Sequence, residues 1–309
     1  TGGKVLIVSP LSIVSQTARE AEKFKICDVT VCRTQKDVKD GLNITNYEMV
    51  EHFKASEFIA VVLDESSRLK SFTSKTTMDF TDKFYHTPYK LLCTATIAPN
   101  DYTEIGTSCE FLGIMSRTEM LATYFIHDGG DTSKWRLKKA GVNKFWEWFA
   151  TWAIYFNSPK DLDYEGEGYD LPPLNIHQIF TESKPDEGSL FVHLAETLEE
   201  RRSARKDSLD DRTDRAANLA NATVYDQWLV WCDYNSESEE LHKAIDKSIE
   251  VVGADSPEYK AEQALNFVDG KTKCLVSKSS IYGMGLNFQN CHNIIYCGIS
   301  DSFESFYQS

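Results

Sequence analysis

Two adjacent carboxylates, Asp64 and Glu65, are the residues of this chain best placed to do chemistry. They end a run of apolar and β-branched residues, Ile59, Ala60, Val61, Val62 and Leu63. Such a run does not alternate apolar with polar, and it predicts a strand buried on both faces. In open α/β sheets ligands bind outside the carboxyl ends of the strands. Asp64 therefore stands where a hydrated Mg2+ would be held, since that ion takes one or two carboxylates together with phosphate oxygens. Glu65 stands where it could orient or polarise a water for attack on a phosphate. The plainer alternative is a core strand whose acidic end caps the next helix.

The elements that must position this pair are those of a mainly parallel α/β sheet. Strands are expected over 4–10 (KVLIVSP), 28–32, 42–46 and 89–93 (YKLLC), with a helix over 15–24. Strands alternating with helical stretches imply βαβ units. From about 103 to 157 the texture changes. Helices are expected over 119–125 and 144–155, the second rich in aromatics (Phe145, Trp146, Trp148, Phe149, Trp152), whose helical spacing reads as core rather than a base-stacking platform. His127 to Asp131 reads as a turn. Pro159, Gly166, Gly168, Pro172 and Pro173, with acids from Asp161 to Asp170, mark a boundary over 158–174. A second round follows: a strand over 175–181, a charged and mostly helical stretch over 185–223, strands over 228–232, 248–252, 274–277 and 293–297, and helices over 237–246 and 258–268. The basic concentration Arg201, Arg202, Arg205, Lys206, Arg212 and Arg215 is interleaved with Asp207, Asp210, Asp211 and Asp214, and reads as a solvated helix face.

Length and composition bound the rest. A chain of 309 residues accommodates two ordinary domains, and 41% apolar with 26% charged residues is the balance of a soluble globular protein. No membrane-spanning run of about 18 apolar residues occurs, and Thr1-Gly2-Gly3-Lys4 do not have the pattern expected of a signal peptide. The chain does not begin with Met and reads as cut from something longer. The net charge of −14 is no nucleic-acid footprint, although a local basic patch can act inside an acidic protein. Cys93, Cys232, Cys274 and Cys297 fall in strand-like runs as small hydrophobes, and the eight cysteines are expected to be reduced core thiols of a cytosolic protein. Cys291, His292 and Cys297 come nearest to a metal cluster, but no second pair completes four ligands.

The second half has its own candidate, SKSSIYGMGLNFQ over 277–289, after the strand 274–277. Gly283 and Gly285 allow close backbone approach, and Asn287 and Gln289 supply neutral polar contacts. A tight turn is the plain alternative. Taken in order with VLIVSPLSIV (5–14), ITNYEMV (44–50), VVLDESSRLK (61–70), LLCTATIAPND (91–101), LVWCDYNSESEEL (229–241) and DSFESFYQS (301–309), the chain resembles the superfamily 2 helicases, in particular Snf-type DNA translocases of phage and bacterial type.

That resemblance implies a P-loop NTPase fold: two RecA-like lobes with mainly parallel sheets, the first lacking its P-loop strand and helix. The first lobe would be 1–157 with a helical insertion over about 103–157, the linker 158–174 and the second lobe 175–309. It implies an ATPase that moves on DNA, double-stranded in preference to single-stranded, in the cytoplasm of a bacterium or a phage-infected host. ATP and Mg2+ are the implied cofactors. By motif match Asp64 would hold Mg2+ through water and Glu65 would activate the attacking water. Thr94, Thr96, Gly283, Gly285, Asn287, Gln289 and Gln308 would serve the nucleotide and its coupling, and Ser9, Pro10, Leu11, Asn46 and Tyr47 would lie near the nucleic-acid backbone. The departures matter equally. No G-x-x-x-x-G-K-[ST] occurs, since Gly2-Gly3-Lys4 is followed by Val5, and the arginines expected after Ser309 are not in this sequence. The chain alone is therefore expected to be a poorly active or inactive internal fragment, with a marginal first lobe and a better-formed second. A non-catalytic binding module and a restriction-system motor subunit are the competing readings.

Overall fold

The computed structural model describes all residues except Thr1, 27–28, 167, 170, 182–194, 224 and 284. Asp28 of the first short strand, Asp170 of the acidic cluster, 185–194 of the charged stretch and Met284 of the glycine segment thus lie outside the described residues. The chain forms two compact units. One comprises Thr1–Arg68, His86–Pro99 and Thr181–Ser309; the other comprises Leu69–Tyr85 and Asn100–Phe180. Among the described residues no helix is long and apolar enough to cross a membrane.

The first unit carries two parallel sheets. The first is built from β1 (Lys4–Ser9), β2 (Val29–Val31), β3 (Gly41–Asn46), β4 (Ala60–Asp64) and β5 (Tyr89–Cys93) in the order β2-β3-β1-β4-β5, with α1 (Val14–Lys23) packed against β2 and β3. Side chains alternate across it. Leu6, Val8, Val61 and Leu63 share one face and are fully buried, and burial of such side chains contributes about 1.5–3 kcal/mol each. On the same face Asn43 is buried but satisfied, its amide donating to the carbonyls of Lys39 at 2.8 Å and Gly41 at 3.1 Å. The opposite face is half open: Val5, Ile7, Ala60 and Val62 are only partly covered, and Tyr89 and Leu91 are 70% and 54% exposed. This corrects the expectation that β4 is buried on both faces. An uninterrupted apolar run states that both faces tolerate burial; cover has to come from other elements.

The second unit holds α2 (Lys75–Lys83), α3 (Ile105–Leu112), α4 (Arg117–Tyr124), the antiparallel hairpin β6 (Phe125–Asp128) and β7 (Asp131–Leu137), and α5 (Val142–Phe149). Phe145 is its fully buried centre, with Tyr124, Phe125 and Trp148 around it at ring separations of 5.4, 5.6 and 5.7 Å. The expected helix over 144–155 stops early. After Phe149 the backbone tightens, with Thr151 N–H donating to Trp148 and Trp152 N–H to Phe149, and Ile154 and Tyr155 emerge into solvent. The strand expected over 175–181 is absent. Ile176 and Phe180 are 73% and 81% exposed, and an alternating pattern without a partner strand has nothing to pair with.

The second sheet is reached through α6 (Leu198–Asp207) and α7 (Leu209–Ala222). It contains β8 (Trp228–Cys232), β9 (Ser248–Val251), β10 (Cys274–Lys278) and β11 (Asn293–Tyr296) in the order β11-β8-β10-β9. Between the strands run α8 (Asn235–Ala244), α9 (Pro257–Val268) and α10 (Ser279–Tyr282), and α11 (Phe303–Gln308) follows the last strand. Both faces of this sheet are covered. Val230, Cys232, Cys274 and Val276 pack with Ala216, Ala217 and Ala220 of α7 and Leu241 of α8. Leu229, Trp231 and Leu275 pack with Ala264 and Phe267 of α9 and Tyr282 of α10.

Candidate functional site

In the first sheet the chain leaves β1 toward β2 on one side and leaves β4 toward β5 on the other. Their carboxyl ends are therefore a switch point, where an open parallel sheet forms its ligand crevice. Asp64 closes β4 there. Glu65 follows in the left-handed region, at φ 51°, a conformation that costs a non-glycine residue about 1–2 kcal/mol and turns the chain sharply. The turn is held from below: the hydroxyl of Tyr47, itself 6% exposed, donates to the Asp64 carbonyl at 2.7 Å. The Arg68 guanidinium lies 5.0 Å from the Tyr47 ring centre and bridges to Glu48 at 3.1 Å. The Glu65 N–H donates to Asp64 Oδ1 at 3.1 Å. Burial pushes the Asp64 carboxyl up from its ordinary range. Burial and then the Asp64 charge push Glu65 up, partly offset by a hydrogen bond from Gln308.

That last bond reaches from the second sheet's end of the unit. Gln308 Nε2 on α11 lies 3.3 Å from both Glu65 Oε2 and Thr96 Oγ1, beyond the end of β5. Thr96 Oγ1 donates to Glu304 Oε1 at 3.0 Å, and its backbone N–H donates to Thr94 Oγ1 at 3.1 Å. Helix α11 is seated on its own sheet by Trp231 Nε1, which donates to the Ser309 carbonyl at 3.3 Å. The structure thus brings Asp64, Glu65, Thr94, Thr96 and Gln308 into one cluster. It adds Glu304, 5% exposed, which the sequence reading did not single out. Its signal was available: residues 304 and 308 are four apart and share one helix face.

The remaining candidates divide. Ser9 ends β1 fully buried, with its hydroxyl unpartnered; Pro10 is buried and Leu11 is 46% exposed. Asn46 lies beside Tyr47 and donates to Glu48 Oε2 at 2.6 Å. Gly283 and Gly285 follow α10. Gly285 has φ +73°, and a Cβ there would lie 2.8 Å from Cδ1 of Ile13. The next contact is polar: Asn287 N–H donates to Gln16 Oε1 at 3.1 Å, while the Asn287 side chain accepts from Gln289 N–H. This loop therefore meets Ile13, just before α1, and Gln16 of α1, rather than the Glu65 cluster.

Two half-buried carboxylates, both raised in proton affinity by burial and Glu65 further by the Asp64 charge, suit a hard divalent cation, which needs only one or two carboxylates beside phosphate and water. Among the described residues no group of three or more His, Cys, Asp or Glu is arranged to hold a metal unaided, and Cys291, His292 and Cys297 form no such site. Cys232, Cys274 and Cys297 are buried free thiols, whereas Cys93 is exposed on β5. That placement corrects the reading of Cys93 as a core thiol, because β5 lies at the sheet edge.

No protein-family model and no curated protein matches the chain. Solved structures do. S. cerevisiae Dbp5 bound to RNA and ADP BeF3 is similar at TM-score 0.55 and 9% identity, over 96% of this chain and 63% of that one. A point variant of S. cerevisiae Dbp5, also bound to RNA and ADP BeF3, is similar at TM-score 0.55 and 10% identity, over 99% and 66%. The chain spans less than two thirds of the length of either. The likeness shows the fold: an α/β architecture with parallel sheets, matching that of these two-domain, RecA-like structures.

Proposed function

We propose that this chain is the core of an ATP-dependent motor that remodels nucleic acid, with 1–157 and 175–309 as its two lobes and 158–174 as the linker. One observation carries the reading: the Glu65–Gln308–Thr96–Glu304 hydrogen-bond cluster ties the acidic turn after β4 to the helix after β11. A motor needs such a link, because a change at the first sheet's carboxylates must be felt by the second sheet.

Bound Mg2+ and ATP would supply the phosphoanhydride bond to be cleaved and the charge neutralisation its cleavage requires. Asp64 would hold the ion through water. Glu65, with its raised proton affinity, would accept a proton from the attacking water. Gln308 would aim the Glu65 carboxylate, and Tyr47 would fix the turn from beneath. Thr94 and Thr96 would relay the state of that turn to Glu304. Gly283, Gly285, Asn287 and Gln289 would respond through Ile13 and Gln16, and Ser9, Pro10, Leu11 and Asn46 would border the nucleic-acid track. No phosphate-cradling glycine loop is among these residues.

The finer reading is a Snf-type translocase on double-stranded DNA, working in the cytoplasm. It rests on the order of the sequence motifs, since the similar structures are RNA-bound. The test is ATP hydrolysis by the complete protein with duplex DNA, single-stranded DNA or RNA, beside its Glu65→Gln variant. Stimulation by duplex DNA and a loss of about 10²-fold or more in the variant are expected. Stimulation by RNA alone would replace DNA with RNA. No stimulation by any of them would leave a nucleic-acid or protein binding module.

A further inference from the structure

The basic stretch of α6 and α7 reads from sequence as a solvated helix face, and part of it is not. Arg202, Arg205 and Lys206 of α6 line a cleft of about 510 Å³ together with Asp233, Tyr234 and Asp301. Arg205 sits between the acids, 2.9 Å from Asp301 and 3.5 Å from Asp233. Arg202 and Lys206 have no ion pair or hydrogen bond among the described residues. Three cations against two carboxylates leave one positive charge in the cleft.

The walls are set by a buried pair behind them. Arg212 lies 2.7 Å from Glu237, whose side chain is fully buried. Glu237 Oε2 accepts from the backbone N–H groups of Asp233 at 2.7 Å and Tyr234 at 3.1 Å, which fixes the β8–α8 turn. Arg212 Nη2 donates to the Arg205 carbonyl at 2.6 Å, which fixes α6. Arg212 also donates to the Cys297 carbonyl at the end of β11. One ion pair therefore holds the helix, the turn after β8 and the end of β11 that surround the cleft. Asp233 and Asp301 follow the carboxyl ends of β8 and β11, the same edge of the sheet as Gly285 and Asn287 after β10.

We propose that this cleft binds a backbone phosphate of a nucleic-acid strand, with Arg202 and Lys206 as its ligands and Tyr234 as the neighbouring hydroxyl. The proposal rests on the reading of the chain as a nucleic-acid motor. A single surplus positive charge matches a monoanionic phosphodiester. The guanidinium fork and a pre-set wall make the contact geometric as well as electrostatic. Contacts of this kind position a strand without reading its sequence.

The experiment is equilibrium binding of the 309-residue chain to a single-stranded RNA and to a DNA duplex across a salt series. Three proteins are compared: the wild type, the double variant Arg202→Ala with Lys206→Ala, and Arg215→Ala, which removes an exposed cation outside the cleft. Each lost phosphate contact lowers the slope of log K against log salt by about 0.7–0.9. The double variant should bind more weakly, with a slope smaller by about 0.7–0.9, and Arg215→Ala should keep the wild-type slope. A double variant with an unchanged slope overturns the cleft assignment and leaves the motor reading standing. Wild-type protein that binds neither nucleic acid overturns both. If inorganic phosphate binding is lost in the double variant while the oligonucleotide slope is kept, the cleft belongs to a free anion and the proposal falls.

Discussion

The two sheets of the first unit are built from equally apolar strands, yet they are buried differently. In the second sheet β8 and β10 are enclosed on both faces, by α7 and α8 on one side and by α9 and α10 on the other. In the first, Leu6, Val8, Val61 and Leu63 are enclosed, while the reverse face thins toward β5 and leaves Tyr89 and Leu91 largely in solvent. Strand composition is therefore a poor guide to burial; the helices that follow the strands decide it. The difference also sorts the sites. The covered sheet carries a rigid polar framework around Glu237, and the half-open sheet carries the strained, charge-bearing turn at Asp64 and Glu65.

The comparison breaks most easily at Glu237. Glu237→Ala strips two buried-turn N–H groups of their acceptor and leaves the half-buried Arg212 guanidinium without its carboxylate, a loss of about 3–5 kcal/mol in denaturant unfolding. A loss under about 1 kcal/mol would mean that the second sheet's advantage lies in its apolar cover alone. Next comes a matched pair of leucines. Leu275→Ala, at a fully buried site in β10, should cost about 2–5 kcal/mol. Leu91→Ala, 54% exposed in β5, should stay within about 0.5 kcal/mol. Equal losses would show that β5 is covered in solution.

The effect at Glu65 has the opposite sign. Its folded proton affinity is raised above that of an ordinary carboxyl, so the folded state holds the proton more tightly than the unfolded one does. Stability is then undiminished below the ordinary carboxylate range and falls as pH rises through the raised value. Glu65→Gln should accordingly stabilise the chain near neutral pH, with the gain vanishing in acid. Thermal unfolding at the two pH values reads it directly. A gain that persists in acid would trace to something other than charge.

The parallel α/β class and the place of the Asp64–Glu65 turn are legible in the sequence, because an apolar run ending in two acids has few other homes. The same logic fails where pairing or cover comes from far away. The stretch over 175–181 has the periodicity of a strand and, among the described residues, no strand beside it. The hairpin of β6 and β7 is hidden because Phe125 to Asp128 continues an amphipathic helix pattern until the turn residues intervene. Glu304 looks like any helix-face acid until Thr96, 208 residues away in the chain, is found against it. The six cations of α6 and α7 look alike, and only the fold separates paired Arg205 and Arg212 from Arg202 and Lys206, which have no partner among the described residues.

Gly285 translates into the terms of heredity. Apart from silent changes and stop codons, every single-base change in a glycine codon installs a side chain. At this position each such side chain brings a strained φ of +73° and a Cβ 2.8 Å from Ile13. No conservative neighbour exists one mutational step away, because even alanine is a wedge between the loop after β10 and the residues before α1. In a library of random variants of this gene, codon 285 should therefore tolerate change at its third base and almost nowhere else, whatever the flanking codons allow.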